Sequence, residues 1–302
     1  MRAPITVPDA FARKKFDSAG ERGRTWITAL PALIDELLDR WSCTPDGAVM
    51  YGEVGIVVPV RHRELPPAVI KVSFPHPCTL REPDAYAAWQ GIGAVQLFAR
   101  ADEHFAMLLE RAHGTLATVT DPAAALAIQG GLTRALAVEA PAGLPRLSDQ
   151  MADWARDMIA DARALGDPLP RRVLDAALAT IRELGHDQPN TLVHGDLHDA
   201  NVLAADRAPW LAIDPKCLVG DPAHDALNVI RSPRFDTVLR LPDSRADLSR
   251  LLDIYCDAAD IDPLRARRWM QVGAVGEALW GRVHADPDWL VRATDQLAEA
   301  MM

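Results

Sequence analysis

Three side chains between Thr191 and Asp214 carry oxygen donors at a spacing that suits phosphoryl transfer: Asp196, Asn201 and Asp214. The stretch reads TLVHGDLHDANVLAADRAPWLAID. A transferred phosphoryl group needs its charge neutralised and its acceptor hydroxyl oriented, and the hard oxygens of Asp and Asn suit Mg²⁺. In such a site Asp196 accepts the hydroxyl proton, Asn201 takes a metal ion, and Asp214 bridges metal to phosphate. Two other readings compete. Alternating His194, Asp196, His198 and Asp199 offer ligands for a hydrolytic zinc. That chemistry needs further ligands downstream, where His224 and His284 stand alone. The plainer reading is a hydrogen-bonded turn, which suits His194 and His198 better than it suits the three oxygen donors. His194 is then a brace of the loop.

The elements that position these groups follow from apolar patterning. Short β-type runs at Thr191–Val193, Val202–Ala204 and Trp210–Ile213 flank the loop. Upstream, Ala68–Ser73 is a strand with one internal Lys71, and an ammonium group buried without a partner is costly. Glu82 is the candidate partner, in a helix from Thr79 or Leu80 to Gln90 with Pro83 in its first turn. Ala48–Tyr51 and Ile56–Val60 form a hairpin around Gly52-Glu53-Val54-Gly55. Glycines there let backbone amides approach phosphates, although a plain hairpin turn carries the same residues. Ala94–Ala99 and Phe105–Leu109, separated by a polar turn from Arg100 to His104, complete five strands.

Helical periodicity runs from Thr25 to Trp41 through Trp26, Leu30, Leu33, Ile34, Leu37, Leu38 and Trp41. Residues 1–22 read as a loose lead-in. Further helices are expected from Asp121-Pro122 to Val138, over 148–165 with Ser148 as N-cap, over 170–184 ended by Gly185, and from Ala223 to Arg231. Three more cover 243–260, 263–280 and 286–301. The segment after Asp214 runs directly into the helix from Ala223.

The 302 residues are 49% hydrophobic, enough for a sizeable core. Residues 1–110 carry −2 and residues 111–302 carry −8 of the formal net charge of −10. An acidic second half argues against nucleic-acid binding and is compatible with a cationic small molecule, as it is with ordinary solubility. Cys43, Cys78, Cys217 and Cys256 sit at no metal spacing and read as free thiols of a reducing cytosol. The first residues lack the apolar core of a signal peptide, and no run is long enough to span a membrane.

The spacing of Asp196 and Asn201 equals that of the catalytic Asp and metal-binding Asn of the kinase catalytic loop. HGDLHDANVL followed by LAIDPK resembles the aminoglycoside phosphotransferase family, which shares the protein-kinase-like fold. Within it, WLAIDPKCLVGDPAHD is similar to the branch of streptomycin 6-phosphotransferases and hydroxyurea kinases. The resemblance implies a bilobal α+β fold, with a small antiparallel-sheet N-lobe (1–110), a hinge (111–114) and a larger, mostly helical C-lobe (115–302). It implies that Lys71, supported by Glu82, orients the nucleotide, that Gly52 and Gly55 cover the phosphates, and that backbone around Glu110 and Ala112 holds the adenine edge. Asp196 is then the catalytic residue, and Asn201 and Asp214 hold Mg²⁺. The C-terminal helices wall the acceptor pocket, with Asp253, Asp257, Asp260, Glu277 and Trp280 as candidates. Asp225 is counted both as an acceptor candidate and as a brace of the catalytic loop. The implied reaction is ATP- or GTP-dependent phosphorylation of a small cationic or polar hydroxyl compound by a cytoplasmic monomer, without nucleic acid or membrane. Streptomycin at its 6-hydroxyl is the favoured acceptor, and hydroxyurea or an amino sugar the alternative. A non-catalytic nucleotide-binding pseudokinase is a further reading, against which the intact Lys71, Asp196, Asn201 and Asp214 argue.

Overall fold

Leu30, Ile34, Leu37 and Leu38 recur at helical spacing on one face of α1 (Asp9–Arg40) and are fully buried. The computed structural model describes residues 5–229, 238–240 and 244–302. It divides into two compact units, Met1–His113 and Gly114–Met302.

In the first unit α1 begins at Asp9, so residues 9–22 are not a loose lead-in. Phe11 and Lys15, four apart and therefore on one helix face, are both buried. The Lys15 ammonium lies 5.8 Å from the Phe11 ring centroid and 5.5 Å from that of Phe74. The helix breaks direction at Gly20, whose φ of 55° a glycine adopts without steric cost. The strands that follow are β1 (Thr44–Pro45), β2 (Met50–Tyr51), β3 (Gly55–Arg61), β4 (Ala68–Ser73), β5 (Leu97–Ala101) and β6 (Ala106–Glu110). They form an antiparallel sheet in the order β1-β3-β4-β6-β5, with β2 also on β3. Six strands replace the expected five because Thr44–Pro45 adds an edge. Alternate residues Ile56, Val58 and Val60, then Ile70 and Val72, pack with the apolar stripe of α1. Each such side chain stabilises the unit by about 1.5–3 kcal/mol through burial. Between β4 and β5 lie a single helical turn, α2 (Pro77–Leu80), and α3 (Glu82–Trp89). Glu82 and Pro83 thus open α3 rather than continuing a helix from Thr79 or Leu80.

The second unit contains α4 (Pro122–Leu136), β7 (Val138–Glu139), α5 (Leu147–Ala164), α6 (Arg171–Leu184), β8 (Thr191–Val193), β9 (Val202–Ala204), β10 (Leu211–Ala212), β11 (Leu218–Val219) and α7 (Ala226–Val229). Then come α8 (Ser244–Ala259), α9 (Pro263–Val283) and α10 (Asp288–Ala300). The side chain of Asp121 caps α4 through the Ala123 N–H. Arg146, not Ser148, stands at the N-cap of α5, and no side chain caps that end. The expected helix from Ala223 to Arg231 is a tight turn (Pro222–Asp225) leading into α7; Arg231 lies outside the described residues.

Helix α9 runs through this core, burying Trp269, Val272, Ala274, Val275 and Ala278. Close approach of α4 and α8 depends on Gly130, where a Cβ would lie 2.4 Å from the Tyr255 carbonyl oxygen. The Thr133 and Tyr255 hydroxyls meet at 2.9 Å across the same contact. Cys43, Cys217 and Cys256 are buried thiols, and burial pushes that of Cys256 up to about 12. Among the described residues no helix is long and apolar enough to cross a membrane.

Candidate active site

In the second unit the loop Gly195–Asn201 is suspended between two small antiparallel pairs. Strand β8 delivers His194 and pairs with β11 through Leu192–Val219 and Val193–Leu218. Strand β9 leaves from Asn201 and pairs with β10 through Val202–Ala212 and Leu203–Leu211. The Ile213 N–H donates to the Asn201 carbonyl at 2.9 Å, so Asn201 and Asp214 stand at the same end of the β9–β10 hairpin.

Main-chain hydrogen bonds set the loop's shape. The His198 N–H donates to the Asp196 carbonyl at 2.9 Å. The Asn201 amide nitrogen donates to the same carbonyl at 2.9 Å, so its amide oxygen is the atom that can ligate a metal ion. Gln129, buried in α4, donates to the Leu197 carbonyl at 3.1 Å. Asp196 itself keeps 14% of its side chain exposed, with the Lys216 ammonium 3.6 Å and the His198 ring nitrogen 3.8 Å from its carboxylate.

His194 is fully buried beneath this loop. Its Nε2 lies 2.8 Å from the Ile213 carbonyl, and its Nδ1 accepts the Asp196 N–H at 3.2 Å. One nitrogen therefore donates and the other accepts, which fixes a neutral tautomer. Burial lowers its pKa to about 4, against the smaller opposing pull of the Ile213 carbonyl. With both nitrogens engaged, His194 is a brace and not a zinc ligand. Asp225, 2% exposed, accepts the Gly195 N–H at 2.9 Å and lies 3.4 Å from the Asn228 amide nitrogen. Burial pushes its pKa up to about 7, with the Gly195 N–H holding it down. Of the two roles expected for Asp225, this placement is that of a brace: the carboxylate faces the backbone of Gly195. Asp221 caps the turn before α7 through the Ala223 N–H and takes Arg265 and the Trp269 indole on its other oxygen.

In the first unit Lys71 of β4 and Glu82 of α3 meet at 2.5 Å, with side chains 6% and 3% exposed. The Glu110 carboxylate accepts the Gln96 N–H at 3.0 Å, and the Glu110 N–H donates to the Gln96 carbonyl at 2.8 Å. That N–H is thereby committed within the sheet, while Ala112 lies past the end of β6. Gly52 and Gly55 close the β2–β3 turn through the Gly52 N–H and Gly55 carbonyl at 3.0 Å. Gly55 has no room for a side chain, since a Cβ would lie 2.7 Å from the Val72 carbonyl; Gly52 borders open space. Lys14 of α1 pairs with Glu53 at the hairpin tip.

The acceptor candidates are scattered. Asp253 and Asp257 are exposed on α8, and Asp260 lies 3.8 Å from Arg134. Glu277 is half-buried on α9, while Trp280 is half-exposed and stacks on His284 with ring centroids 3.9 Å apart. Sequence reasoning missed Gln129 and the placement of Lys216. The one signal for Gln129 is an amide within an otherwise Ala- and Leu-rich helix face.

The family model described as aminoglycoside/hydroxyurea antibiotic resistance kinase matches residues 40–284. The chain is 37% identical over 279 residues to a streptomycin 6-kinase of Streptomyces glaucescens, covering 91% of both chains. It is 31% identical over 283 residues to a hydroxyurea phosphotransferase of Kitasatospora aureofaciens, covering 92% of this chain and 81% of the relative. Among solved structures, it resembles the aminoglycoside phosphotransferase APH(4)-Ia with a TM-score of 0.57 at 13% identity, covering 90% of this chain and 98% of that one. A choline kinase of Cryptosporidium parvum gives a TM-score of 0.54 at 10% identity, covering 89% and 94%. These two share the fold.

Proposed function

The chain belongs to the aminoglycoside/hydroxyurea antibiotic resistance kinase family, and from that premise we propose that it moves the γ-phosphoryl group of ATP or GTP to the 6-hydroxyl of streptomycin. The observation that carries the chemistry is the Asp196–Asn201 loop, whose backbone is tied at both ends and whose carboxylate keeps partial exposure. The acceptor rests on identity to a streptomycin 6-kinase, which exceeds that to the hydroxyurea phosphotransferase.

In this reading Asp196 accepts the proton of the attacking hydroxyl as the new O–P bond forms. Catalysis is mostly positioning and charge stabilisation. Asn201 and Asp214 supply two oxygen donors at one end of a hairpin, and among the described residues no three His, Cys, Asp or Glu gather as a metal cage. Two protein oxygens, with phosphate and water completing the shell, suit Mg²⁺. When bound, the ion neutralises phosphate charge. Lys71, held by Glu82, orients the nucleotide phosphates. Backbone near Ala112 meets the adenine edge, and the Gly52–Gly55 turn covers the phosphates. The acidic second unit favours a cationic acceptor, and the protein acts as a cytoplasmic monomer.

ATP consumption with Mg²⁺ across streptomycin, other aminoglycosides, hydroxyurea and simple amino sugars, with mass spectrometry of products, tests the reading. One added phosphoryl group on streptomycin is expected. The same gain on hydroxyurea alone moves the chain to the sister activity, and no modified product from any compound removes the acceptor assignment.

A further inference from the structure

Lys216 is placed over the catalytic loop by backbone features that stability does not explain. Its N–H donates to the His194 carbonyl at 2.8 Å, continuing the β8–β11 ladder. The residues two before and one after it, Asp214 and Cys217, both adopt left-handed backbone with φ of 58° and 57°. Neither is glycine, so each conformation is strained and must be held by its surroundings. Gly195, at φ +78°, has no side chain, and a Cβ there would lie 3.1 Å from the Lys216 Cβ. The Lys216 Cβ thus packs directly against Gly195, one residue before Asp196.

The result is an ammonium group 3.6 Å from the Asp196 carboxylate with 49% of its side chain exposed. A half-exposed ion pair contributes little to stability. Two strained residues and an obligatory glycine to hold one in place therefore point to a use beyond folding. The Asp196 oxygen marks where the acceptor hydroxyl loses its proton, so the Lys216 ammonium stands within reach of the bond that forms there.

We propose that Lys216 is a catalytic residue of the transfer. In the loaded enzyme its ammonium moves from Asp196 to a non-bridging oxygen of the phosphoryl group in flight. The acceptor oxygen bonds to the γ-phosphorus as the bridging P–O bond breaks, the nucleoside diphosphate leaves with the electron pair, and the hydroxyl proton passes to Asp196. Lys216 exchanges no proton; it offsets charge spread over the non-bridging oxygens, where a preorganised cation acts in the transition state. The inference rests on Asp196 being the group beside the acceptor hydroxyl.

Lys216→Met keeps the Cβ against Gly195 and removes the charge. Its kcat is measured with the acceptor identified by the screen and for slow hydrolysis of ATP by water, which passes through the same phosphoryl transfer. Expected is a loss of a hundredfold or more in both rates, with the KM for ATP within threefold of native and at least tenfold recovery in Lys216→Arg. A kcat within threefold of native overturns the proposal. Asp196→Asn, assayed in parallel, separates the two failures: if it also retains turnover, the reading of the loop falls; if it is inactive while Lys216→Met is active, only the role of Lys216 falls.

Discussion

The two units hold their charged groups in opposite ways. In the first, Lys71 and Glu82 are side chains of a strand and a helix that neutralise one another in a site nearly closed to water. In the second, the Asp196 side chain keeps partial exposure, and the loop around it is held through its main chain: the Asp196 carbonyl takes the Asn201 amide and the His198 N–H, the Gly195 N–H goes to Asp225, and the Leu197 carbonyl goes to Gln129. The contrast teaches where each region is vulnerable. The pair depends on its two side chains together. The loop depends on the buried side chains of Gln129 and Asp225, which hold its backbone from beneath.

That contrast is broken most sharply at Asp196. Asp196→Ala is expected to lower turnover by roughly 10³-fold or more, in line with loss of a positioned base, while nucleotide affinity by calorimetry stays within a few-fold. An equally large fall in nucleotide affinity would mean that Asp196 holds the nucleotide instead. Next comes Glu82→Ala, which leaves the buried Lys71 ammonium without its carboxylate and is expected to cost about 3–5 kcal/mol. Replacing both residues, Lys71→Met with Glu82→Leu, restores most of that stability in denaturant titration but not activity.

A third prediction concerns pH, in the absence of nucleotide and Mg²⁺. His194 has a folded pKa of about 4, below its ordinary 6.5, so its contribution is present above pH 6.5 and is lost as pH falls toward 4. Asp225 has a folded pKa of about 7, above its ordinary 3.8, so its contribution is present below pH 4 and is lost as pH rises toward 7. The two oppose each other across the same window and flatten the native profile. Asp225→Asn removes one of them, so its stability relative to the native protein rises between pH 4 and pH 7. A constant difference across that range, measured by urea unfolding, would show that Asp225 does not titrate there.

Gly195→Ala follows, at about 1–3 kcal/mol, because φ is positive and the new methyl group meets Lys216 and Leu218. The smallest effect is expected at Lys14→Ala, within about 1 kcal/mol, since its pair with Glu53 is exposed.

Much of this arrangement was legible from local pattern. One Lys in an apolar strand demands a nearby carboxylate, and Glu82 lies on the next regular helix. The five-residue step from Asp196 to Asn201, bounded by short β runs, marks a loop that closes on itself. The first half of α1 was not legible, because Phe11 and Phe16 give too thin an apolar stripe among charged neighbours, and Lys15 is buried by rings rather than by a stripe of its own. The bracing of the loop escaped for a different reason. Gln129 reaches Leu197 across 68 residues and Asp225 reaches Gly195 across 30, contacts that only the assembled helices create.

The burial of Cys256 in α8 makes the helical unit its own chemical clock. With its thiol pushed up to about 12 and shielded by the packed helices, this sulfur is inert to alkylating reagents while the core is closed. The rate at which it acquires an alkyl label, followed by mass spectrometry at that residue, therefore counts the openings of the core. A bound nucleotide or acceptor that steadies the unit will slow that count without any assay of turnover.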